Sequence, residues 1–447
     1  MLRNHALIRG AFILTLSGAA TRFIGFFYRM FLGRAFGGES VGLYQLAFPV
    51  YALCFSVCAA GVETAISRST AAGLAVRDPL RVRAAFQSGL SLSVLLSFAA
   101  LFFVQGNAGF LAGQLLGDPR CAPLLCVLIL ALPFACVHAC ICGHCLGRKS
   151  TRLPALSQLL EQAVRVGSVV LLFHILDSRG IRPGIALAAG GIVAAEASAA
   201  FYCLVRMRGK GSGSRGILSF TAYKKGLGEI LSTAVPLTGN RVLLNILQSV
   251  EAVSIPLKLQ AAGLTAGGAL TVYGALTGMA LPCILFPSAL TSSVSAMLLP
   301  AAAQIQASGD RRAMQEIVRN VFFSCFSLGL FFGLLMAAGG NMLGQLLFHS
   351  RMAGRLIATL AWMCPFLYTN SCLLSILNGL GKTHLTFLFN AAGLLLRIGS
   401  VFLLVPAFGI RGYLWGLLAG QGAVFALCFF TLYPKLPFFR PSSRYSP

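Results

Sequence analysis

Two arginines, Arg22 and Arg29, stand inside the first long apolar stretch of the chain, which runs from about Gly10 to Phe36. Gly18, Arg22, Gly25, Arg29 and Gly33 follow one another at helical spacing, so all five share one narrow stripe of a 3.6-residue helix. A cation at membrane depth costs on the order of 3 kcal/mol or more, so it must face water or an anionic partner. A guanidinium also forms paired hydrogen bonds with carboxylate and phosphate oxygens. The chemistry on offer is the gripping of something negatively charged.

A second polar set follows Pro236 in the seventh apolar stretch: Asn240, Arg241, Asn245, Gln248 and Glu251. Arg241, Asn245 and Gln248 share a face, with Asn240 and Glu251 flanking it. If the first and seventh helices both line a cleft, Arg22, Arg29 and Arg241 converge there, with Asn245, Gln248 and Glu251 beside them. The competing reading gives these groups structural roles, such as capping neighbouring carbonyls. A third set, Gln158, Glu161, Gln162 and Arg165, lies in the fifth stretch. Glu161 and Arg165 are four apart and able to pair, which suits a structural lock. Glu63 and Arg68 close the second stretch and suit either an inner gate or ordinary interfacial charges.

Other chemistry is excluded or weak. Cys136, His138, Cys140, Cys142, His144 and Cys145 are metal-ligand types. Cys136/Cys140 and His138/Cys142 fall on opposite helix faces, however, and small-residue packing is the reading adopted, with no metal. There is no Walker motif and no Ser/His/Asp arrangement. No cofactor is expected, and the chain reads as a non-enzyme.

The elements that must position these residues are membrane helices. The chain has 447 residues, 57% of them hydrophobic and only 10% charged. That composition is polytopic. Hydropathy resolves about twelve spans of roughly 20 residues or more, near 10–36, 42–67, 84–106, 121–146, 154–176, 181–205, 226–251, 269–299, 317–339, 354–378, 384–406 and 410–433. The first is too long and too interrupted by arginine for a signal peptide, and is read as a retained helix. Pro49, Pro133, Pro282, Pro287 and Pro365 are expected to break helices at membrane depth, most of all in the eighth span.

The net charge of +24 would suggest nucleic acid in a soluble chain. Here no aromatic-basic platform accompanies it, and most cations fall in alternate loops. With both termini in the cytoplasm, the inner segments hold Arg3, Arg9, Arg77, Arg81, Arg83, Arg148, Lys149 and Arg152, among others, while the outer ones hold few. The positive-inside rule therefore sets that orientation.

The two halves repeat each other. The single offset that sets Asp78 on Asp310 also sets Leu132-Pro133-Phe134 on Cys364-Pro365-Phe366 and Gly147 on Gly379. It sets Arg165-Val166-Gly167-Ser168-Val169 on Arg397-Ile398-Gly399-Ser400-Val401 as well. One register for several matches marks duplication. Arg397 has Gly393, not a glutamate, four residues before it, so the second copy lacks the pair. Each half holds an even number of spans, so the halves insert in parallel. The expected division is a six-helix lobe at 1–205, a basic Gly/Ser linker at 206–225, a second six-helix lobe at 226–434 and a cytoplasmic tail at 435–447.

Several segments resemble the stage V sporulation protein B family. They are Gly10 to Gly18 with Arg22 to Arg29, Gly42 to Pro49, Thr64 to Arg68, Gly147-Arg148-Lys149 through Gln158 and Glu161-Gln162 to Arg165-Val166, and Pro236 to Arg241 with Glu251-Ala252. That family belongs to the polysaccharide-exporter branch of the MATE-like MOP superfamily, with MurJ-type lipid II flippases as relatives. The resemblance implies an all-α fold of two parallel six-helix lobes about a V-shaped cleft, in the bacterial plasma membrane. It also implies a flippase for an undecaprenyl-pyrophosphate-linked oligosaccharide or lipid II-like precursor, serving cell-wall, spore-cortex or polysaccharide synthesis. In MurJ relatives, arginines of the first and eighth helices line the cavity; here the expected eighth span is uncharged, and Arg241 on the seventh takes that place. Two other readings remain open. One is a MATE-type multidrug exporter, ion-coupled, although such exporters of cations expose carboxylates. The other is a non-transporting scaffold for sporulation or envelope assembly.

Topology is directly testable. On a cysteine-free background, Ser212→Cys and Ser443→Cys should react with an impermeant maleimide only from the cytoplasmic side, and Ser178→Cys and Ser350→Cys only from outside. Labelling of Ser212→Cys from outside would reverse the orientation.

Overall fold

The computed structural model describes residues 2–209 and 219–432, and every regular element among them is helical. The core of the expected linker, 210–218, and the expected tail, 435–447, lie outside the described residues. In chain order the α-helices are α1 Leu2–Phe55, α2 Gly61–Ala75, α3 Pro79–Gly106, α4 Ala108–Phe110, α5 Cys121–Ile129, α6 Leu132–Gly147, α7 Arg152–Ser178, α8 Ala186–Gly209 and α9 Phe220–Ala261. Then come α10 Ala266–Gly274, α11 Leu281–Leu285, α12 Ser288–Ser308, α13 Arg311–Phe348, α14 Arg351–Leu360, α15 Cys364–Gly379, α16 Thr383–Leu403, α17 Val405–Phe408 and α18 Ile410–Leu432.

Eleven of the described helical runs are long and apolar enough to cross a membrane, or twelve when the bent pair α5–α6 is taken as one span. The chain is an all-α polytopic membrane protein. The agreement with about twelve expected spans hides two offsetting differences. The first two expected spans form one 60-residue apolar run, Leu16–Ala75, whose α1 segment changes direction at Gly37. There φ is 75°, a left-handed value that glycine adopts without a Cβ clash. The expected eighth span, conversely, is two helical runs, Ala266–Leu285 and Ser288–Ser308. They meet at Phe286–Pro287, after a π-helical turn at Ala275–Ala280.

The expected proline breaks need one correction. Pro133, Pro282 and Pro365 each sit in the first turn of a helix, where a missing N–H costs nothing. Pro49, by contrast, lies inside α1 without a break. Membrane helices tolerate such a proline through local π adjustments and neighbouring helices, and a π-turn follows at Ser56–Ala60.

The chain divides into two compact units, 1–253 and 254–447. The boundary lies within α9, beyond the 206–225 segment where the linker was expected. In unit 1, α2 lies against α6 at glycine: a Cβ on Gly143 would stand 2.5 Å from the Glu63 carbonyl oxygen, and one on Gly147 2.5 Å from that of Ser67. The first part of α9 packs on the same core, where Ile230 and Ala234 join Val62, Ala65, Ile66, Ala85 and Cys140. At the loop before α5, Arg120 bridges Asp118 at 2.8 Å and Glu39 at 2.7 Å. Burial alone would raise the Asp118 carboxyl, but the Arg120 guanidinium and backbone N–H outweigh it and hold it below the ordinary carboxylate value.

Unit 2 repeats these devices in register. Helices α6 and α15 both have 16 residues and end on Gly147 and Gly379. A Cβ on Gly379 would stand 2.5 Å from the Leu299 carbonyl oxygen of α12. Helices α3 and α13 begin on Asp78 and Asp310, each accepting a hydrogen bond from the backbone N–H three residues on, at 3.0 Å. An N-cap carboxylate of this kind satisfies an orphan donor at the helix start. The duplication read from sequence is thus carried by the same caps and the same small-residue contacts.

A side chain at either equivalent glycine must push backbone apart. Gly147→Val and Gly379→Val should each lower stability by about 1–3 kcal/mol, whereas Gly190→Ala, with nothing within 4 Å of its added carbon, should not. Thermal unfolding of purified protein in detergent measures the difference.

Candidate functional site

The arginine stripe of α1 finds its partners on α7. Phe173 of α7 packs edge-on against Phe31 and Phe36 of α1, with ring centroids at 5.3 and 5.5 Å. This contact sets Arg29 of α1 within electrostatic reach of Arg165 of α7 and of Tyr44. Tyr28 joins the same group through Tyr44 and Arg165. Arg165 is paired with Glu161 one turn earlier, as the spacing suggested. That pair uses one guanidinium nitrogen, Nη2. The Arg165 Nε and the Tyr28 hydroxyl are both buried and lack any hydrogen-bond partner.

Two unsatisfied polar atoms in one cluster are costly, because burial without a partner removes water and returns nothing. The Nε–H can only donate, and the tyrosine hydroxyl is free to donate. Arg29 and Arg165 carry two positive charges beside the carboxylate of Glu161, with Glu196 on its other side, and Arg29 itself is exposed. The cluster therefore offers two guanidinium groups and two buried donors without acceptors, a set that suits oxyanion acceptors.

Arg22 is exposed, two helical turns before Arg29. The cationic partner expected for both, Arg241 of α9, is exposed and has Glu63 as its charged neighbour. Glu63 is half-buried in unit 1 and also lies within reach of His138, so it is not paired with the exposed Arg68. Asn245 donates from Nδ2 to Ser56 Oγ, and so ties α9 to the π-turn. Gln248 is exposed, and Glu251 is buried at 4% exposure. Arg397 belongs to unit 2, where its aliphatic stem lies along α18: a Cβ on Gly420 would stand 2.9 Å from its Cγ.

Sequence reasoning missed several residues. Arg81 grips Glu229 of α9 through Nε and Nη2, the shortest contact being 2.7 Å, and Ser69 donates to the same carboxylate at 2.8 Å. Glu196 of α8 meets His138 of α6 at 3.4 Å. Each of these acids is an isolated carboxylate in an apolar or basic stretch, and that isolation was the available signal. Tyr28 and Tyr44 gave none, since interior tyrosines are common.

Comparison with known proteins gives a consistent picture. A family profile described as polysaccharide biosynthesis protein matches residues 7–306. Stage V sporulation protein B of Bacillus subtilis (strain 168) is 26% identical over 443 residues, covering 98% of this chain and 85% of that protein. Among solved structures, the inward-facing conformation of a multidrug resistance MATE family transporter of the MOP superfamily superposes with a TM-score of 0.75 at 14% identity, covering 97% of this chain and 100% of that one. The inward closed conformation of the lipid II flippase MurJ superposes with a TM-score of 0.71 at 15% identity, covering 94% and 87%. The fold is therefore the one shared by MATE-like transporters.

Removing one member of the Glu161–Arg165 pair strands the other. Glu161→Ala should cost about 3–5 kcal/mol of stability, whereas Arg241→Ala on the exposed face should stay within about 0.5 kcal/mol. Thermal or denaturant unfolding in detergent compares the two.

Proposed function

The chain belongs to the polysaccharide biosynthesis protein family, and we propose that it is a flippase that carries an undecaprenyl-pyrophosphate-linked oligosaccharide or peptidoglycan precursor across the plasma membrane by alternating access. The observation that carries this reading is the donor cluster of Arg29, Arg165, Tyr28 and Tyr44, with its two buried unsatisfied atoms. A pyrophosphate presents several acceptor oxygens and a charge that arginine meets in a planar fork. Arg29 is exposed and free to make the first contact; Arg165, held by Glu161, presents a fixed nitrogen. Arg22, two turns along α1, extends the basic track. Arg241, Asn245, Gln248 and Glu251 lie on α9, and on this reading they serve the helix that follows the linker.

The names of the relatives support the substrate class: a sporulation protein and a family of polysaccharide synthesis. The multidrug reading wants carboxylates offered to a cationic drug. Here Glu161 is committed to Arg165 and Glu229 to Arg81, Glu63 has Arg241 as a charged neighbour, and Glu196 meets His138. Cell-wall or spore-cortex synthesis, a bacterial plasma membrane and cytoplasmic termini complete the proposal.

The test is a leaflet-accessibility assay with purified protein in vesicles and a defined prenyl-pyrophosphate sugar. Arg29→Ala and Arg165→Ala should each slow exposure of the sugar by tenfold or more, on the order expected for a lost charge-assisted contact. Arg29→Lys should fall between them and the unaltered chain, because lysine keeps charge but loses the fork. Full activity of the Arg29→Ala/Arg165→Ala double variant would overturn the site, and an inert unaltered protein would favour the scaffold.

A further inference from the structure

Folding brings to His138 a partner that the α6 sequence does not contain. Cys203 of α8 approaches His138 and Cys142 of α6 so closely that one ligand atom from each lies within 4.8 Å of the others, and all three residues are buried. Ser157 of α7 completes the group, with its hydroxyl oxygen 2.9 Å from His138 Nε2 and 3.7 Å from Cys142 Sγ. The hydroxyl proton has a second claim on it, since the same oxygen donates to the Pro154 carbonyl at 3.0 Å. One proton cannot serve both acceptors. The pocket thus concentrates imidazole, hydroxyl and sulfur lone pairs, with thiols as its only other donors, and thiols donate weakly.

The far side of the ring is also organised. His138 Nδ1 faces Glu196 Oε2 at 3.4 Å, and Glu161 stands within the same 4.8 Å group as His138 and Glu196. A carboxylate on one ring nitrogen fixes the tautomer that leaves the other nitrogen's lone pair free, and this is the usual support of a metal-bound histidine. The two nitrogens of His138 are therefore differently employed: Nδ1 toward carboxylate, Nε2 toward sulfur.

The repeat supplies an internal comparison. At the common offset, His138 corresponds to Asn370 and Cys142 to Leu374. In unit 2, Asn370 donates to the backbone oxygen of Gln421 at 2.9 Å and to its side-chain oxygen at 3.0 Å. A neutral amide thus suffices to tie the equivalent helices together. Packing alone does not call for the His/Cys/Cys set retained in unit 1.

We propose that His138, Cys142 and Cys203, with Ser157 beside them, form a site for a soft divalent cation of the zinc class, and that Glu196 positions His138 from behind. Two thiolates balance a doubly charged ion, so the ion and its sulfur ligands are together neutral, which limits the cost of burying them. Loading releases the two thiol protons to solvent. The ion would clamp α6 to α8, and Glu161, which pairs with Arg165, stands behind His138 on the side away from the sulfur ligands.

The experiment uses the full chain purified in detergent under reductant, stripped with a chelator and titrated with Co²⁺. One equivalent should bind with a sulfur-to-cobalt charge-transfer band and be displaced by Zn²⁺. Cys142→Ser, Cys203→Ser and His138→Asn should each weaken binding at least tenfold; the last installs the residue that unit 2 already accommodates. Glu196→Gln should keep the stoichiometry and weaken affinity about 10–100-fold. Cys325→Ser, in the buried Cys325–Cys372 contact of unit 2, should change nothing. Should a variant fail to fold, the unaltered protein decides: its unfolding temperature should rise with Zn²⁺ and not with Mg²⁺. Absence of that rise, absence of the band, or binding that survives the Cys142→Ser/Cys203→Ser double variant would overturn the site.

Discussion

A guanidinium inside an apolar helix bundle has to be answered, and much of unit 1 is arranged around that demand. Arg165 is answered on one nitrogen by Glu161 and left open on another. Arg29 is brought to it by the aromatic contact between α1 and α7. Were both arginines fully paired within the chain, the cluster would be a structural lock and nothing more. On the proposed function, the incomplete answer is what an anionic substrate would complete, since a buried donor without an acceptor is a standing cost.

Such a cluster needs helices that approach closely and hold their register. Small residues provide the approach. Gly143 and Gly147 let α2 rest on α6, and Gly379 does the same for α12 and α15. In a membrane, where apolar tails compete equally with apolar side chains, close packing and a few polar ties carry helix association. The ties are visible too: Asn245 to Ser56, Arg81 to Glu229, Asn370 to Gln421. Because the duplicated halves share packing devices but not the Glu161–Arg165 pair or His138, one scaffold carries two different sets of side chains.

What was legible in the sequence followed local rules. The helical class and span count rest on hydropathy, the Glu161–Arg165 pair on i,i+4 spacing, and the duplication on register. Each needs only neighbours along one helix or a constant offset. What escaped depends on contacts between distant segments. Glu229 lies far along the chain from Arg81, and Cys203 lies on a different helix from His138, so no helical wheel could join them. The convergence expected of Arg22, Arg29 and Arg241 assumed that the first and seventh spans both line one cleft. The structure shows Arg165 as a charged neighbour of Arg29, and Arg241 as a charged neighbour of Glu63. The packing of the opening turns of α9 on α2 and α3 is likewise a contact between distant segments.

The π-turn at Ser56–Ala60 has a genealogical meaning. A π-turn holds one residue more than the α-turn it replaces, so it is the trace of an insertion absorbed without breaking the helix. Everything beyond it is rotated by about 100° from where an uninterrupted helix would have put it, and Glu63 is among the first residues so turned. A relative lacking that extra residue would align to this chain with a single gap inside a continuous helix, and would present the same face of α2 to α6. Ancestry in this fold is therefore recorded in the local winding of its helices as well as in the identity of their residues.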